Sequence, residues 1–257
     1  MQMDASYECR NLRAEVGGDA RRLVLNDVSF DVRKGEFVSI MGRSGVGKTT
    51  LLRVLAGLLE PLHGSTVQLD GRDVDGPPEG VSLVFQDYSN SLLPWRTVAR
   101  NVEPPLEGRL AKAERKARIA ETLEVVGLSD RANDRPFELS GGMQQRVQLA
   151  RALASKPAVL LMDEPFGALD ALTKADLEDQ LLDIQSATAT TVVFVTHDIE
   201  EAVYLSDRVL ILQGSPARIE AEVHVACARP RKQLETRESP EFLAARHRVH
   251  EVIFGTR

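Results

Sequence analysis

The sequence predicts an α/β fold built on a parallel sheet, and three stretches carry that prediction. Ala158-Val159-Leu160-Leu161-Met162 and Thr191-Val192-Val193-Phe194-Val195 are unbroken apolar runs of strand length, the pattern of strands covered on both faces. A helix-period segment, Asp170–Ser186, separates them and makes a strand–helix–strand unit. The third stretch starts with the apolar run Glu36-Phe37-Val38-Ser39-Ile40-Met41. It continues into Gly42-Arg43-Ser44-Gly45-Val46-Gly47-Lys48-Thr49, and then into Thr50-Leu51-Leu52-Arg53-Val54-Leu55-Ala56, a helix ending at Gly57. Strand, GxxxxGK[ST] loop and helix in that order form a phosphate-binding loop. Glycines let successive backbone N–H groups curl toward phosphate oxygens, and the helix N-terminus adds partial positive charge. Lys48 is expected to reach the β- and γ-phosphates and the Thr49 hydroxyl to ligate Mg²⁺, with Thr50 the next residue against the nucleotide. The chain is expected to bind a nucleoside triphosphate.

The remaining elements follow from alternation and turn residues. Ser6–Arg13 and Leu23–Val32 alternate as strands, joined through Gly17-Gly18-Asp19. Glu60-Pro61-Leu62-His63-Gly64 is a turn, Ser65–Leu69 a short strand, and Asp70-Gly71-Arg72-Asp73 another turn. Val81-Ser82-Leu83-Val84-Phe85 is a β-rich run that ends at Gln86. The character then changes: from about Asp87 to Lys156 the chain reads as a helical insertion, with helices over Lys112–Val126 and Met143–Ala154. Arg208–Leu212 is a further strand. A tail over about 214–257 has turn signals at Pro230 and Pro240 and a helix from Pro240 to Ile253. The whole, 1–257, is read as one domain carrying a helical subdomain.

Composition narrows the function classes. A net charge of −6 argues against non-specific nucleic-acid binding, which needs a basic face. Two cysteines, Cys9 and Cys227, offer neither metal spacing nor a disulfide framework. No apolar run approaches the length of a bilayer span, and Met1-Gln2-Met3-Asp4-Ala5-Ser6 lacks the features of a secretory signal, so the chain is expected in the cytoplasm.

Two further motifs bear on chemistry. Val159-Leu160-Leu161-Met162-Asp163-Glu164 is an apolar strand ending in two acids. Burial of the strand places both carboxylates at the carboxyl edge of the sheet, where ligands of doubly wound sheets sit. Asp163 is expected to hold Mg²⁺, and Glu164 to polarise an attacking water as general base. Leu139-Ser140-Gly141-Gly142-Met143-Gln144-Gln145-Arg146 opens a helix with Ser140 as N-cap and two glycines that permit close approach. It is a second helix start suited to an anion, and one nucleotide does not need two such starts from the same domain.

With that element the sequence resembles the ATP-binding cassette (ABC) family, whose signature is LSGGQ, over nearly its whole length. The resemblance implies a RecA-like P-loop NTPase core with an antiparallel β edge and an inserted helical subdomain. It implies ATP hydrolysis by a head-to-tail dimer. Gly42 to Thr49 is similar to Walker A and Val159 to Glu164 to Walker B. Gln86 matches the Q-loop glutamine that touches Mg²⁺ and senses the γ-phosphate. Ser140, Gly141 and Gly142 match the signature residues that meet the γ-phosphate of the partner copy. Ala168-Leu169-Asp170 matches the D-loop, and His197, after Phe194-Val195-Thr196, the switch histidine at the γ-phosphate. Two residues depart from the pattern: Met143 replaces the last signature residue, and Val16 stands where the family usually stacks adenine on an aromatic side chain.

Ser91-Leu92-Leu93-Pro94-Trp95-Arg96-Thr97-Val98 contains the only tryptophan, either a plug between subdomains or a seat for a helix of a membrane partner. This stretch, with Pro165 to Thr173 and the tail residues Arg229-Pro230-Arg231, looks like the nitrate/sulfonate/taurine branch of bacterial-type importers. That branch implies permease subunits as direct partners, a solute-binding protein as an indirect one, no nucleic acid, and a peripheral place on the cytoplasmic face of the membrane. The competing class is a soluble ABC ATPase that drives a non-transport mechanical change. Such proteins usually carry two cassettes or a long coiled-coil insertion, and this chain has neither.

Overall fold

The apolar runs that read as strands become the middle of one sheet. The computed structural model describes residues 5–17, 20–85, 91–167 and 169–255. Its strands are β1 (Ala5–Val16), β2 (Arg22–Arg33), β3 (Phe37–Gly42), β4 (Thr66–Leu69), β5 (Arg72–Asp73), β6 (Val81–Val84), β7 (Val159–Asp163), β8 (Thr191–Val195), β9 (Arg208–Gly214) and β10 (Ala217–His224). The helices are α1 (Lys48–Leu55), α2 (Val98–Val102), α3 (Lys112–Val125), α4 (Gly141–Ala154), α5 (Ala171–Thr188), α6 (Ile199–Leu205), α7 (Gln233–Arg237) and α8 (Pro240–Phe254). Among the described residues the strands form a ten-stranded sheet in the order β5-β4-β1-β2-β10-β9-β3-β8-β7-β6.

The sheet has two characters. β9, β3, β8, β7 and β6 run parallel. Every residue of β3, β7 and β8 is buried, which is why these strands are apolar without alternation. β5, β4, β1 and β2 form an antiparallel edge. β10 joins the halves, antiparallel to β9 and touching β2 through the Ala217–Leu25 pair.

Pleating divides the core between the two faces. Val38 and Ile40 of β3 pack with Leu51 and Leu55 of α1 on one side. Phe37 and Met41 belong to the other core, where Phe194 stacks against Phe37 and Phe166 and where α4, α6 and α8 contribute Val147, Tyr204 and Phe242. Between β6 and β7 the chain forms α2, α3 and α4, and these pack on the same second face.

Several boundaries differ from the sequence reading. β1 continues past Arg13 to Val16, and β2 starts at Arg22, because Val16 pairs with Arg22 across the hairpin. α1 starts at Lys48 rather than Thr50, and α4 at Gly141 rather than Met143, since Ser140 caps it. α5 runs to Thr188, two residues past Ser186, and stops at Ala189 in the left-handed region (φ 51°). β5, β10, α2, α6 and α7 lie outside the sequence reading; β5 falls within the Asp70–Asp73 stretch read as a turn, where Arg72 and Asp73 pair with β4, and β10 in the region read as tail.

Candidate functional site

Strand register assembles the site. Ile40 of β3 pairs with Val195 of β8, and Val195 pairs with Asp163 of β7. The chain leaving β3, β7 and β8 therefore emerges on one edge of the sheet, carrying the Gly42–Thr49 loop, Glu164 and Thr196-His197. Glu164 has a left-handed backbone (φ 46°), which costs an L-residue roughly 1–2 kcal/mol. Its N–H donates to the Val195 carbonyl at 2.9 Å, so β8 holds that turn in place.

This turn aims the Glu164 carboxylate between two cationic or protonatable groups. Oε1 lies 3.7 Å from Lys48 Nζ, and Oε2 lies 3.0 Å from His197 Nδ1. Lys48 is buried, and its Nζ donates to the Gly42 and Arg43 carbonyls at 3.0 and 3.3 Å. Within the loop the Val46 N–H closes onto the Arg43 carbonyl at 3.2 Å. Gly47, at φ 120°, is required by packing as well as conformation. A Cβ there would stand 2.8 Å from Val24 Cγ1 and 2.9 Å from Leu25 Cδ2, so the loop docks on β2 only because the side chain is missing.

The result is a cleft of about 540 Å³. Ser44, Gly45, Gly47, Lys48, Thr49 and Thr50 line it together with Glu164 and His197. Val16, Arg22 and Val24 complete the lining, so Val16 does face the cleft, as its place in the sequence predicts. Tyr7 does not: it is fully buried and donates to the Leu55 carbonyl at 2.8 Å.

Asp163 closes β7 in a buried position. Burial pushes its carboxyl above the usual carboxylate range, opposed by a hydrogen bond with the Thr49 side chain. Among the described residues no cluster of three or more His, Cys, Asp or Glu could hold a metal on protein ligands alone. One carboxylate beside one hydroxyl, next to a phosphate loop, instead fits a hard divalent cation that completes its shell with phosphate oxygens and water, as Mg²⁺ does. Gln86, the other expected ligand, and Ala168 of the D-loop lie outside the described residues.

The remaining expected residues lie elsewhere. Ser140 is exposed, and its Oγ accepts from the Met143 N–H at 3.3 Å as an N-cap. A Cβ on Gly142 would stand 3.0 Å from Leu169 Cδ2, so this glycine lets the D-loop turn lie against the start of α4. Met143 packs, partly buried, on the larger core. Asp170 caps α5, accepting from the Thr173 N–H at 3.0 Å, and that bond holds its carboxyl below the usual range. None of Ser140, Gly141, Gly142 or Asp170 lines the phosphate-loop cleft. Phe137 and Leu172 beside them are 70% and 81% exposed. Trp95 is 69% exposed, so it is not a plug between subdomains.

Two features were missed in the sequence. Arg22 lines the cleft from a position with no motif around it. Lys174 of α5 reaches Asp198 and Glu201, each at 2.6 Å, and so ties α5 to the turn that carries His197. Asp198 caps α6 by accepting from the Glu200 and Glu201 N–H groups. An Asp followed by two glutamates is a readable helix start, whereas the Lys174 contact has no local signal.

Residues 25–167 match the family described as ABC transporter. The chain is 45% identical over 239 residues to the nitrate import ATP-binding protein NrtC of Synechococcus elongatus, covering 91% of this chain and 36% of that protein. It is 46% identical over 232 residues to the bicarbonate transport ATP-binding protein CmpC of Synechocystis sp., covering 88% and 34%. The chain thus spans about a third of the length of these two relatives. Against the nitrate transport protein NasD of Klebsiella oxytoca the identity is 45% over 232 residues, covering 88% of this chain and 87% of that one. Among solved structures, an ATP-binding cassette dimer in a post-hydrolysis state with ADP and Pi is 33% identical, with a TM-score of 0.75 over 85% of this chain and 98% of that one.

Proposed function

This chain belongs to the ABC transporter family, and we propose that it hydrolyses ATP as the ATPase subunit of an importer for a small anion such as nitrate, an aliphatic sulfonate or taurine. The observation that carries the chemistry is the Glu164 carboxylate set between Lys48 and His197. A water lined up with the γ-phosphorus loses a proton to Glu164 and forms a new P–O bond. The bond between the γ-phosphorus and the bridging oxygen breaks, leaving ADP and phosphate. Lys48 and N–H groups of the loop from Gly42 to Gly47 stabilise the phosphate charge, with Val46 closing the loop through its own N–H, and His197 supports the γ-phosphate region. Thr49 and Asp163, with Gln86 as the third expected ligand, would hold Mg²⁺, which would supply further positive charge to the phosphate oxygens.

One chain supplies half of such a site. Ser140, Gly141 and Gly142 meet the γ-phosphate of a second copy, with Asp170 at the same interface. The exposure of Ser140, and that of Phe137 and Leu172 nearby, supports this arrangement. Permease subunits at the cytoplasmic face of the membrane are the direct partners in this reading and a solute-binding protein the indirect one; no helix of the described residues is itself long and apolar enough to cross a membrane. Exposed Trp95 is the anchor for the permease. Two relatives are named for nitrate and two for bicarbonate, which supports a small anion as cargo.

Vesicles containing this chain, the permease it co-purifies with and the matching binding protein test the assignment. ATP-dependent accumulation of one anion among nitrate, bicarbonate, taurine and an aliphatic sulfonate is expected. ATP hydrolysis that proceeds at the same rate without the permease, with no anion accumulated, would favour a non-transport ATPase.

A further inference from the structure

We propose that the C-terminal segment from Arg229 to Arg246 is a clamp on α6, and that Glu200, gripped by Arg237 and Arg246, positions His197 for hydrolysis. The proposal rests on the reading that His197 acts at the γ-phosphate. His197 is itself 64% exposed, so its own packing does little to fix it. Its placement is shared between the end of β8 and α6, which Thr196 joins through a hydrogen bond from its hydroxyl to Glu201. Asp198 caps α6, and α6 has only seven residues. A helix that short does not hold its direction without tertiary support.

The tail supplies that support at both ends. In the first turn of α6, Glu200 Oε2 accepts from Arg237 Nη1 at 3.2 Å, and Oε1 accepts from Arg246 Nη1 at 3.1 Å. At the last turn, Arg231 donates to the Tyr204 carbonyl at 2.6 Å and Arg229 to the Leu205 carbonyl at 3.4 Å. Acid at the start and guanidinium at the end both complement the helix dipole. Arg237 is fixed in turn: it donates to the buried Glu178 at 2.7 Å and lies over the Tyr204 ring, 4.6 Å from its centroid. Lys174 of α5 also holds Asp198 and Glu201, and Gln233 ties the tail to α5 through Asp179. The helix behind His197 is therefore pinned by α5 and the tail together. None of the four arginines lines the cleft, so they act through α6 and not on the nucleotide.

Removing Arg237 would leave Glu178 buried without its ion-pair partner and risk unfolding. Glu200 is only partly buried, so Glu200→Gln and Arg246→Gln are the informative variants. Each is measured as the full chain, with thermal melting, calorimetric ATP affinity and steady-state hydrolysis. Expected for Glu200→Gln is a kcat about tenfold lower, because small misplacements of a reacting-site group are that costly. KM, ATP affinity and melting temperature stay at parent values. Glu200→Asp, which keeps the carboxylate, recovers most of the rate. In a His197→Ala background Glu200→Gln causes no further loss, since the two changes remove one function. Parent-level kcat in both Glu200→Gln and Arg246→Gln, or a full additional loss on top of His197→Ala, overturns the clamp while leaving the site reading intact. Parent-level kcat in His197→Ala overturns the site reading and the clamp with it.

Discussion

The starts of α1 and α4 are both glycine-bearing helix N-termini, yet the fold treats them in opposite ways. The α1 start sits where three buried strands end together, and Lys48, Glu164 and His197 are within ion-pair or hydrogen-bond reach along one line. The α4 start has an exposed cap, Ser140, with exposed Phe137 three residues before it and exposed Leu172 across the turn that Gly142 accommodates. Charge is collected inside the first region, and apolar surface is left outside the second. A soluble monomer has little reason to expose such large apolar side chains beside a helix start, whereas a surface that meets another chain does. One region thus gathers its charged groups within the chain, and under the proposed function the other is the surface that a second copy would meet.

The largest expected effect falls on the first region. Glu164→Gln keeps ATP binding but lowers kcat by roughly a hundred- to ten-thousandfold, since the amide cannot take a proton from water. With ATP the variant accumulates as a dimer by size-exclusion chromatography. A variant that turns over at the parent rate would remove Glu164 from the role of base and break the contrast between the regions.

On the outward side the contrast is sharpened by a change that should leave the isolated chain untouched. Trp95→Ala keeps ATP binding and melting temperature. Its affinity for the permease drops by about 2 kcal/mol, or about thirtyfold in Kd. Pull-down of the permease at graded concentrations reads this directly, and unchanged capture would show that the exposed ring is not an anchor.

Val16 gives the smallest effect and probes the wall of the cleft in the first region. It lines the cleft but offers a base only a small apolar contact. An aromatic ring stacked on a base is worth about 1–3 kcal/mol, so Val16→Tyr tightens ATP severalfold or more, while the parent separates ATP from GTP poorly. Competition binding on both proteins checks it. No gain in the tyrosine variant would mean that another group, with Arg22 a candidate on the cleft wall, already covers the base.

Most of this site was legible before the fold was known, because its residues sit where apolar runs stop. β3, β7 and β8 are forced inside by composition, so Gly42, Asp163-Glu164 and Thr196-His197 had to emerge at strand ends. The elements that escaped detection lack such a signal. α6 is buried over five of its seven residues and too short to show a helical period. β10 is the exception: Ala217, Ile219, Ala221 and Val223 alternate with Arg218, Glu220, Glu222 and His224 along its whole length, so its strand pattern is present in the sequence. The grip of Arg229, Arg231, Arg237 and Arg246 on α6 joins residues roughly 25 to 45 positions apart, a separation at which no local pattern speaks. The positive φ at Glu164 is likewise a property of the assembled strands, fixed by its bond to Val195.

Mixing two inactive chains tests the shared site most directly. Lys48→Ala disables the phosphate loop. Gly141→Asp puts a negative charge at the first residue of α4, a position that suits the helix but repels a phosphate. Each variant alone is expected to be nearly inactive. In an equal mixture half the dimers pair the two kinds, and each of those contains one intact loop facing one intact Ser140-Gly141-Gly142. The account predicts recovery of about a quarter of the parent activity under random pairing. A mixture no more active than its separate components would contradict it, because the site would then not be shared between two copies.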